Sequence, residues 1–339
     1  MKNFKLPSFL KYGLSVVLAA FLFWLVFRNI SFDEFAGKLS SVNYGWILVS
    51  FALAIFSHLL RAYRWNLMLR PFGYELTTFR TFLAVMSGYL ANLALPRLGE
   101  VTKCGVLKKN EGVSMSTAIG TVVVERLLDF IILLIITVLD FLLEFDMIYD
   151  FFAELFNFKG IEQNKVPLAI GGAVLTGLGV LGLFLLREFL KREYEHPALK
   201  KINDKLKELI AGFMSIRNVE NFFGFMVSTV LIWLAYFFMS YVIFFAMPET
   251  SGLSMGVGLS ILVAAGLGMS APVQGGVGAY HAFVSGVLVI YGIEATTGLF
   301  FATLLHTSQV ILVLIVGGMS MFISSFISAK KPTLSVQDS

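Results

Sequence analysis

The chain has 339 residues, of which 57% are hydrophobic and 14% charged, with a mean hydropathy of +0.81 and a formal net charge of +4. So little charge against so much apolar side chain excludes a soluble domain, where charged residues approach about a quarter, and leaves an integral membrane protein. Each crossing helix consumes about 20 apolar residues, so several spans fit, but a separate catalytic domain of ordinary size, about 100 to 150 residues, does not.

In chain order, the first apolar run, 10 to 28, follows Lys2, Lys5 and Lys11 and lacks a small-residue cleavage pattern, so it reads as a retained helix. Further runs at 44 to 60, 117 to 143, 166 to 186, 222 to 247 and 299 to 326 have the length to cross. Two weaker stretches, 80 to 110 and 256 to 292, are apolar pieces interrupted by proline and glycine. Lys and Arg concentrate on the cytoplasmic side of membrane proteins. Arg61, Arg64, Arg70 and Arg80 lie before the first weak stretch crosses its middle, and Arg97, Lys103, Lys108 and Lys109 lie after it. Both sets belong inside, for which the simpler reading of 80 to 110 is a re-entrant hairpin, the alternative being two short ordinary spans joined by a tight turn. The loop 146 to 165 is then external and acidic, 187 to 220 is a cytoplasmic helix, and both termini are cytoplasmic, including the tail 331 to 339. On this topology 21 of the 26 basic residues face the cytoplasm.

An offset of 176 residues lays Pro96, Gly99 and Val101 on Pro272, Gly275 and Val277, and lays spans of the first half on spans of the second. The predicted architecture is therefore all-α: six full spans plus two re-entrant helical hairpins in an inverted repeat. One half covers 1 to 145, the other 166 to 330, as in secondary transporters. Pro96 and Gly99 in the first hairpin, and Pro272, Gly275, Gly276 and Gly278 in the second, supply the breaks. Backbone of this kind at membrane depth is tolerated where it is buried in protein or lines a polar cavity.

The span 117 to 143 contains Glu125, Arg126 and Asp129. At about 2.5–3.5 kcal/mol each on insertion scales, such charges need partners. Spacing allows Arg126 to reach Asp129 at i, i+3, and Asn92, Arg97, Glu100 and Lys103 of the first hairpin with Arg61 and Arg64 are the nearest supply. Two readings stay open: an ion-pair knot that pins hairpin to span, or a net positive cavity for an anionic head group. The second half offers Gln274, Tyr280, His281, His306 and Gln309, polar without fixed charge. The chain lacks a GxxxxGK[ST] loop, an HExxH and a GxSxG, and its four histidines lack metal-ligand spacing. No catalytic residue, metal or cofactor is assigned, and the pI of 9.0 is read as cytoplasmic loops rather than a nucleic-acid surface.

Arg61-Ala62-Tyr63-Arg64-Trp65, Asn92 with Pro96-Arg97-Leu98-Gly99-Glu100, Glu125-Arg126-Leu127-Leu128-Asp129 and Gln274-Gly275-Gly276-Val277-Gly278 together resemble the flippase-like transmembrane domain of lysylphosphatidylglycerol synthases. The resemblance covers nearly the whole chain. It implies an eight-helix type of membrane domain with re-entrant segments that moves an aminoacylated or other lipid between leaflets of the plasma membrane. Full-length synthases add a soluble aminoacyl transferase domain, which these residues do not contain. Gln274 stands where that family often has a second proline, and His281 where an acidic residue often follows, departures that bear on the substrate. The expected function is a lipid flippase for a phospholipid or polyprenyl-linked lipid with an anionic or aminoacylated head group. The substrate-binding set is Arg64, Asn92, Arg97, Glu100, Lys103, Glu125, Arg126, Asp129, Gln274, Tyr280, His281 and His306. Membrane lipids, and a separate lipid-modifying enzyme, are the expected partners. The competing readings are a membrane enzyme, or enzyme subunit, that transfers a group onto a lipid, and a non-transporting anchor.

The topology predicts that a thiol at Lys108→Cys reacts with a membrane-impermeant probe from the cytoplasmic side alone. Labelling from outside in intact cells makes the first hairpin a crossing.

Overall fold

A computed structural model describes residues 21, 24, 37–95, 97–145, 188, 189, 191, 197, 200, 203, 219–271 and 273–327. The expected spans 10 to 28 and 166 to 186, the acidic loop 146 to 165, the tail 331 to 339, most of 187 to 220, and both Pro96 and Pro272 lie outside the described residues. The chain forms two compact units. One joins residues 1–144 to 218–339, and the other is 145–217. In the second, the described residues include an exposed Lys191–Glu188 pair at 2.8 Å.

The described residues of the first unit form helices joined by short turns and loops, with no strand among them. Helix α1, Tyr44–Leu69, starts where the Asn43 side chain accepts the Gly45 N–H at 3.1 Å, a standard way to satisfy one of the open donors of a first turn. It runs nine residues beyond the apolar stretch read from the sequence and ends in a 3-10 turn, Arg70–Phe72. Helix α2, Thr78–Ala94, and helix α3, Leu98–Glu111, form the first hairpin. Helix α4, Met115–Leu143, is capped by Ser114, whose hydroxyl accepts the Thr117 N–H at 3.1 Å. Helix α5, Phe222–Tyr241, continues as a 3-10 segment, Val242–Ala246. Helices α6, Met255–Ser270, and α7, Ala279–Ile290, flank a 3-10 turn at Gln274–Gly276. Helix α8, Ala295–Leu312, passes through a π-turn, Val313–Gly317, into α9, Gly318–Phe326.

Three stretches among the described residues are long and apolar enough to cross a membrane: Tyr44–Phe72, Phe222–Ala246 and Ala295–Phe326. Helix α4 has the length, about 43 Å at 1.5 Å per residue, but carries Glu125, Arg126, Asp129 and Asp140. At 17 and 14 residues, α2 and α3 rise about 25 and 21 Å, less than the roughly 30 Å hydrocarbon core. Helix α1 is the central element, in contact with α2, α4, α5 and α8. Its Ser50 hydroxyl donates to the Met239 carbonyl at 2.9 Å and accepts from Gln309 Nε2 at 3.0 Å, joining α1 to α5 and α8. The apolar core lies between the start of α1, the 3-10 segment after α5, and α6 to α8, around Phe244, Ile261, Val284, Phe300 and Phe301. Outward-facing Phe130, Ile135, Val138 and Leu142 of α4 are more than half exposed, a continuous apolar strip of a kind that a soluble monomer avoids and that lipid covers.

Two close backbone approaches set the hairpins. A Cβ on Gly99 would lie 2.2 Å from the Gly88 carbonyl oxygen and 2.5 Å from Asn92 Cγ, so α2 and α3 touch backbone to backbone. A Cβ on Gly268 would lie 2.6 Å from Tyr280 Cα, which brings α6 and α7 equally near. The tip of the first hairpin holds Arg97 at φ 65°, a strained position for a side-chain-bearing residue. The second spreads its turn over Gly275, Gly276 and Gly278, all at positive φ, where glycine has no steric cost. The two tips meet: Gln274 Nε2 donates to the Leu93 and Ala94 carbonyls, at 3.0 and 2.8 Å, at the end of α2.

Gly99→Ala forces α2 and α3 apart and lowers stability by about 1–3 kcal/mol, the usual cost of overpacking. Gly105→Ala on the same helix meets nothing within 4 Å and gains up to about 1 kcal/mol from helix propensity. Thermal unfolding in detergent separates the two.

Candidate functional site

Helix periodicity places the site. Glu125 and Asp129, four residues apart on α4, share one face and look onto the last turns of α1, where Arg61 and Arg64 sit three apart. Arg61 Nη2 bridges both carboxylates, at 2.5 Å to Glu125 Oε1 and 2.7 Å to Asp129 Oδ2, while its Nη1 donates to the Tyr236 hydroxyl of α5 at 2.8 Å. Arg64 Nη2 lies 2.8 Å from Asp129 Oδ1 and 3.5 Å from Glu125 Oε1. From α3, Lys103 Nζ reaches Glu125 Oε2 at 2.8 Å. The same ammonium sits 4.5 Å above the centre of the Trp65 ring, a cation–π contact that strengthens when water is excluded. The Trp65 indole N–H donates to Thr121 Oγ1 at 2.9 Å, fixing the ring against α4.

Glu125 is 2% exposed and Arg64 fully buried, so these pairs act in a low dielectric, where the attraction between opposite charges is several times that at a surface. Three cations face two carboxylates, leaving a net charge of +1 in the buried group. The Arg64 Nη1 group is buried with no hydrogen-bond partner among the described residues.

Outside this group lies a looser pair. Arg126, one residue on from Glu125 and thus about 100° around the helix, turns to α3 and meets Glu100 at 3.5 Å, with both side chains partly exposed. The expected Arg126–Asp129 pair is not formed, because Asp129 faces α1. Glu100, Lys103 and Arg126 line a narrow cavity with Tyr89, Asn92 and Gly88, with room for little more than a water molecule, and Glu100 Oε2 is buried there without a hydrogen-bond partner among the described residues.

Of the residues read as binding groups, Arg64, Lys103, Glu125 and Asp129 are brought together, and Glu100 and Arg126 stand at their edge. Asn92 clamps the hairpin, its Oδ1 accepting the Gly99 N–H at 2.7 Å. Arg97 is exposed at the tip and outside the network. Gln274 is tied to the end of α2. Tyr280, His281 and His306 form a separate cluster in which Tyr280 stacks on His306 at 4.7 Å and His281 meets His306 edge-on at 5.1 Å. Sequence reasoning missed Trp65 and Tyr236 as members of the ion network. For Trp65, its nearness to Arg64 in the sequence is the available signal. Among the described residues no group of His, Cys, Asp and Glu is arranged to hold a metal ion.

Glu125→Gln strands Arg61 and Lys103 in an apolar surround. It lowers stability by about 3–5 kcal/mol, the range for breaking a buried pair from one side. Trp65→Phe, which loses one hydrogen bond, costs about 1 kcal/mol. Unfolding midpoints of the two variants test the ranking; equal loss shows that the charges are already hydrated.

A model of the family described as the lysylphosphatidylglycerol synthase TM region matches residues 12–317. Among curated proteins, UPF0104 membrane protein MJ1595 of Methanocaldococcus jannaschii is 30% identical over 126 residues, 36% of this chain and 38% of that protein. The match therefore spans well under half of that relative's length. No solved structure matches the chain.

Proposed function

Because the chain belongs to the lysylphosphatidylglycerol synthase transmembrane family and is an integral membrane protein, we propose that it is a lipid flippase. In this reading it moves a phospholipid or polyprenyl-linked lipid with an anionic or aminoacylated head group between leaflets of the plasma membrane. The observation that carries the reading is the buried group of Arg61, Arg64 and Lys103 against Glu125 and Asp129, net positive and placed beside the cavity edged by Glu100 and Arg126. A net positive group at that depth attracts a phosphate, and the unpaired Glu100 oxygen accepts from a head-group ammonium or hydroxyl. The cavity holds little more than a water in this conformation, so a head group is admitted only as α3 and α4 separate.

The inverted repeat and re-entrant hairpins belong to the same proposal. In support, shifting the bounds of α2, 78 and 94, by 176 gives 254 and 270, against Met255–Ser270 for α6. The bounds of α1, 44 and 69, become 220 and 245, against Phe222–Ala246 for α5 with its 3-10 extension. Helix α2 packs on the π-turn and α9, and its counterpart α6 packs on α4, as a two-fold exchange of halves requires. Cytoplasmic termini follow from the positive-inside count. Alternating access then arises from rocking of one half on the other about the point where the hairpin tips meet.

The enzyme reading is favoured by one observation, the proximity of Glu100, Glu125 and Asp129, three carboxylates that acid–base chemistry would use; but Glu125 and Asp129 are each bound by two or more cations, which suits structure and binding better than proton transfer. In proteoliposomes without nucleotide, the wild-type protein should move fluorescent phosphatidylglycerol between leaflets, and Arg126→Gln should slow this about tenfold. Unchanged lipid distribution together with a covalently altered lipid mass would replace the flippase with the enzyme.

A further inference from the structure

Beside the narrow charged cavity lies a much larger space, and the two share a wall. A cleft of about 260 Å³ runs between α3 and α4, walled by Val101 and Cys104 on one side and by Ile119, Val122 and Val123 on the other; Glu100 and Arg126 line it as well as the charged cavity. Val101, Ile119 and Val123 are 52%, 43% and 41% exposed, so the cleft opens sideways onto the apolar outer surface. At its floor Cys104, the single cysteine of the chain, is fully buried. The lining thus changes from wholly apolar to charged within the width of one side chain.

We propose that this cleft holds one acyl chain of the transported phospholipid while its head group engages Arg126 and Glu100. The inference rests on the flippase reading and adds the path by which a lipid arrives from the bilayer. The pattern fits an amphipathic molecule: the apolar walls suit a hydrocarbon chain and the Arg126 guanidinium a phosphate, and both line one cleft. A soluble anion has no use for the apolar wall, and a second apolar helix has no use for the charged residues.

The physics also fixes what the cleft contributes. Lipid tails are as apolar as a leucine side chain, so a chain leaving the bilayer for the cleft gains almost nothing from transfer. Affinity must come from the head group. The cleft supplies orientation, holding the lipid with its phosphate against Arg126 as α3 and α4 part, so filling it should slow transport more than it weakens binding.

The test uses the full chain in phosphatidylcholine vesicles containing a trace of phosphatidylglycerol with a diazirine in one acyl chain, with adducts mapped by mass spectrometry after illumination. Val101, Ile119 and Val123 should be labelled at least fivefold more than Leu139, an exposed apolar residue farther along α4. Arg126→Gln should remove that excess and leave Leu139 unaffected. Equal labelling at both places, indifferent to Arg126→Gln, overturns the proposal, since the contact is then that of ordinary bilayer lipid. Ile119→Trp fills the cleft at an exposed position and should cut flipping at least fivefold, whereas Leu139→Trp should not. Loss of the adducts in Ile119→Trp with wild-type flipping overturns the cleft's role while leaving the flippase intact. Head-group-dependent adducts in a wild-type protein that does not flip lipid support the cleft and remove the flippase.

Discussion

The structure turns on Glu125. Its two oxygens face opposite directions, Oε1 toward Arg61 and Arg64 of α1 and Oε2 toward Lys103 of α3, so one carboxylate on α4 registers two other helices. Five charges left unpaired at membrane depth would oppose insertion by about 12–18 kcal/mol on per-residue insertion scales. Mutual pairing offsets much of that, but only in one arrangement of the three helices, because guanidinium and carboxylate must meet within hydrogen-bond distance. The network therefore contributes less to net stability than to specificity, as buried ion pairs do in some systems. Through Lys103 it also fixes the first hairpin, which the glycine contact between α2 and α3 has already closed into a unit.

The second half solves a similar packing problem without fixed charge. Its hairpin is closed by the approach of Gly268 to Tyr280, and the space facing it is filled by Tyr280, His281 and His306 ring on ring. Aromatic and imidazole rings bury large apolar faces while keeping polar edges, so this side has no obligatory counter-ion. The first half needs a compensating charge and the second does not.

Much of this was legible in the residues. Glycine and proline clusters marked both hairpins, because backbone that must approach closely or take positive φ has few other residues to use. The charged triplet on α4 announced a network, because membrane-buried charge demands partners. Partner identity was less accessible. Arg61, Arg64 and Lys103 stand among the partners that the sequence offers, whereas Arg97 does not join them; helix α1 continues past residue 60 to Leu69 and carries Arg61 into the packed interior, 5% exposed. Spacing along α4 permitted Arg126 to meet Asp129, but the spacing of a single helix says nothing of what faces it, and α1 claims Asp129 first. Gln274 reads as a polar ligand in sequence and acts as a staple between hairpin tips, a role that depends wholly on where the end of α2 lies.

The charges at the site divide into an inner and an outer set with different strengths, a division that would let a structural knot also take a head group in the flippase reading. The inner pairs are buried, short and shared, so breaking one from a single side costs about 3–5 kcal/mol. The outer pair, Arg126 with Glu100, is 3.5 Å apart and 43% and 31% exposed, which places it with surface pairs worth about 1 kcal/mol or less. On that proposal a phosphate at Arg126 would compete with a weak partner, and the Glu100 oxygen that loses Arg126 is next to one without a donor among the described residues. The pairs of Arg61 and Arg64 hold α1 and α4 in register throughout, because only the Lys103–Glu125 pair of the inner set spans α3 and α4. In the proposed flippase, head-group binding would be reversible for this reason, since release restores a pair that was never costly to break.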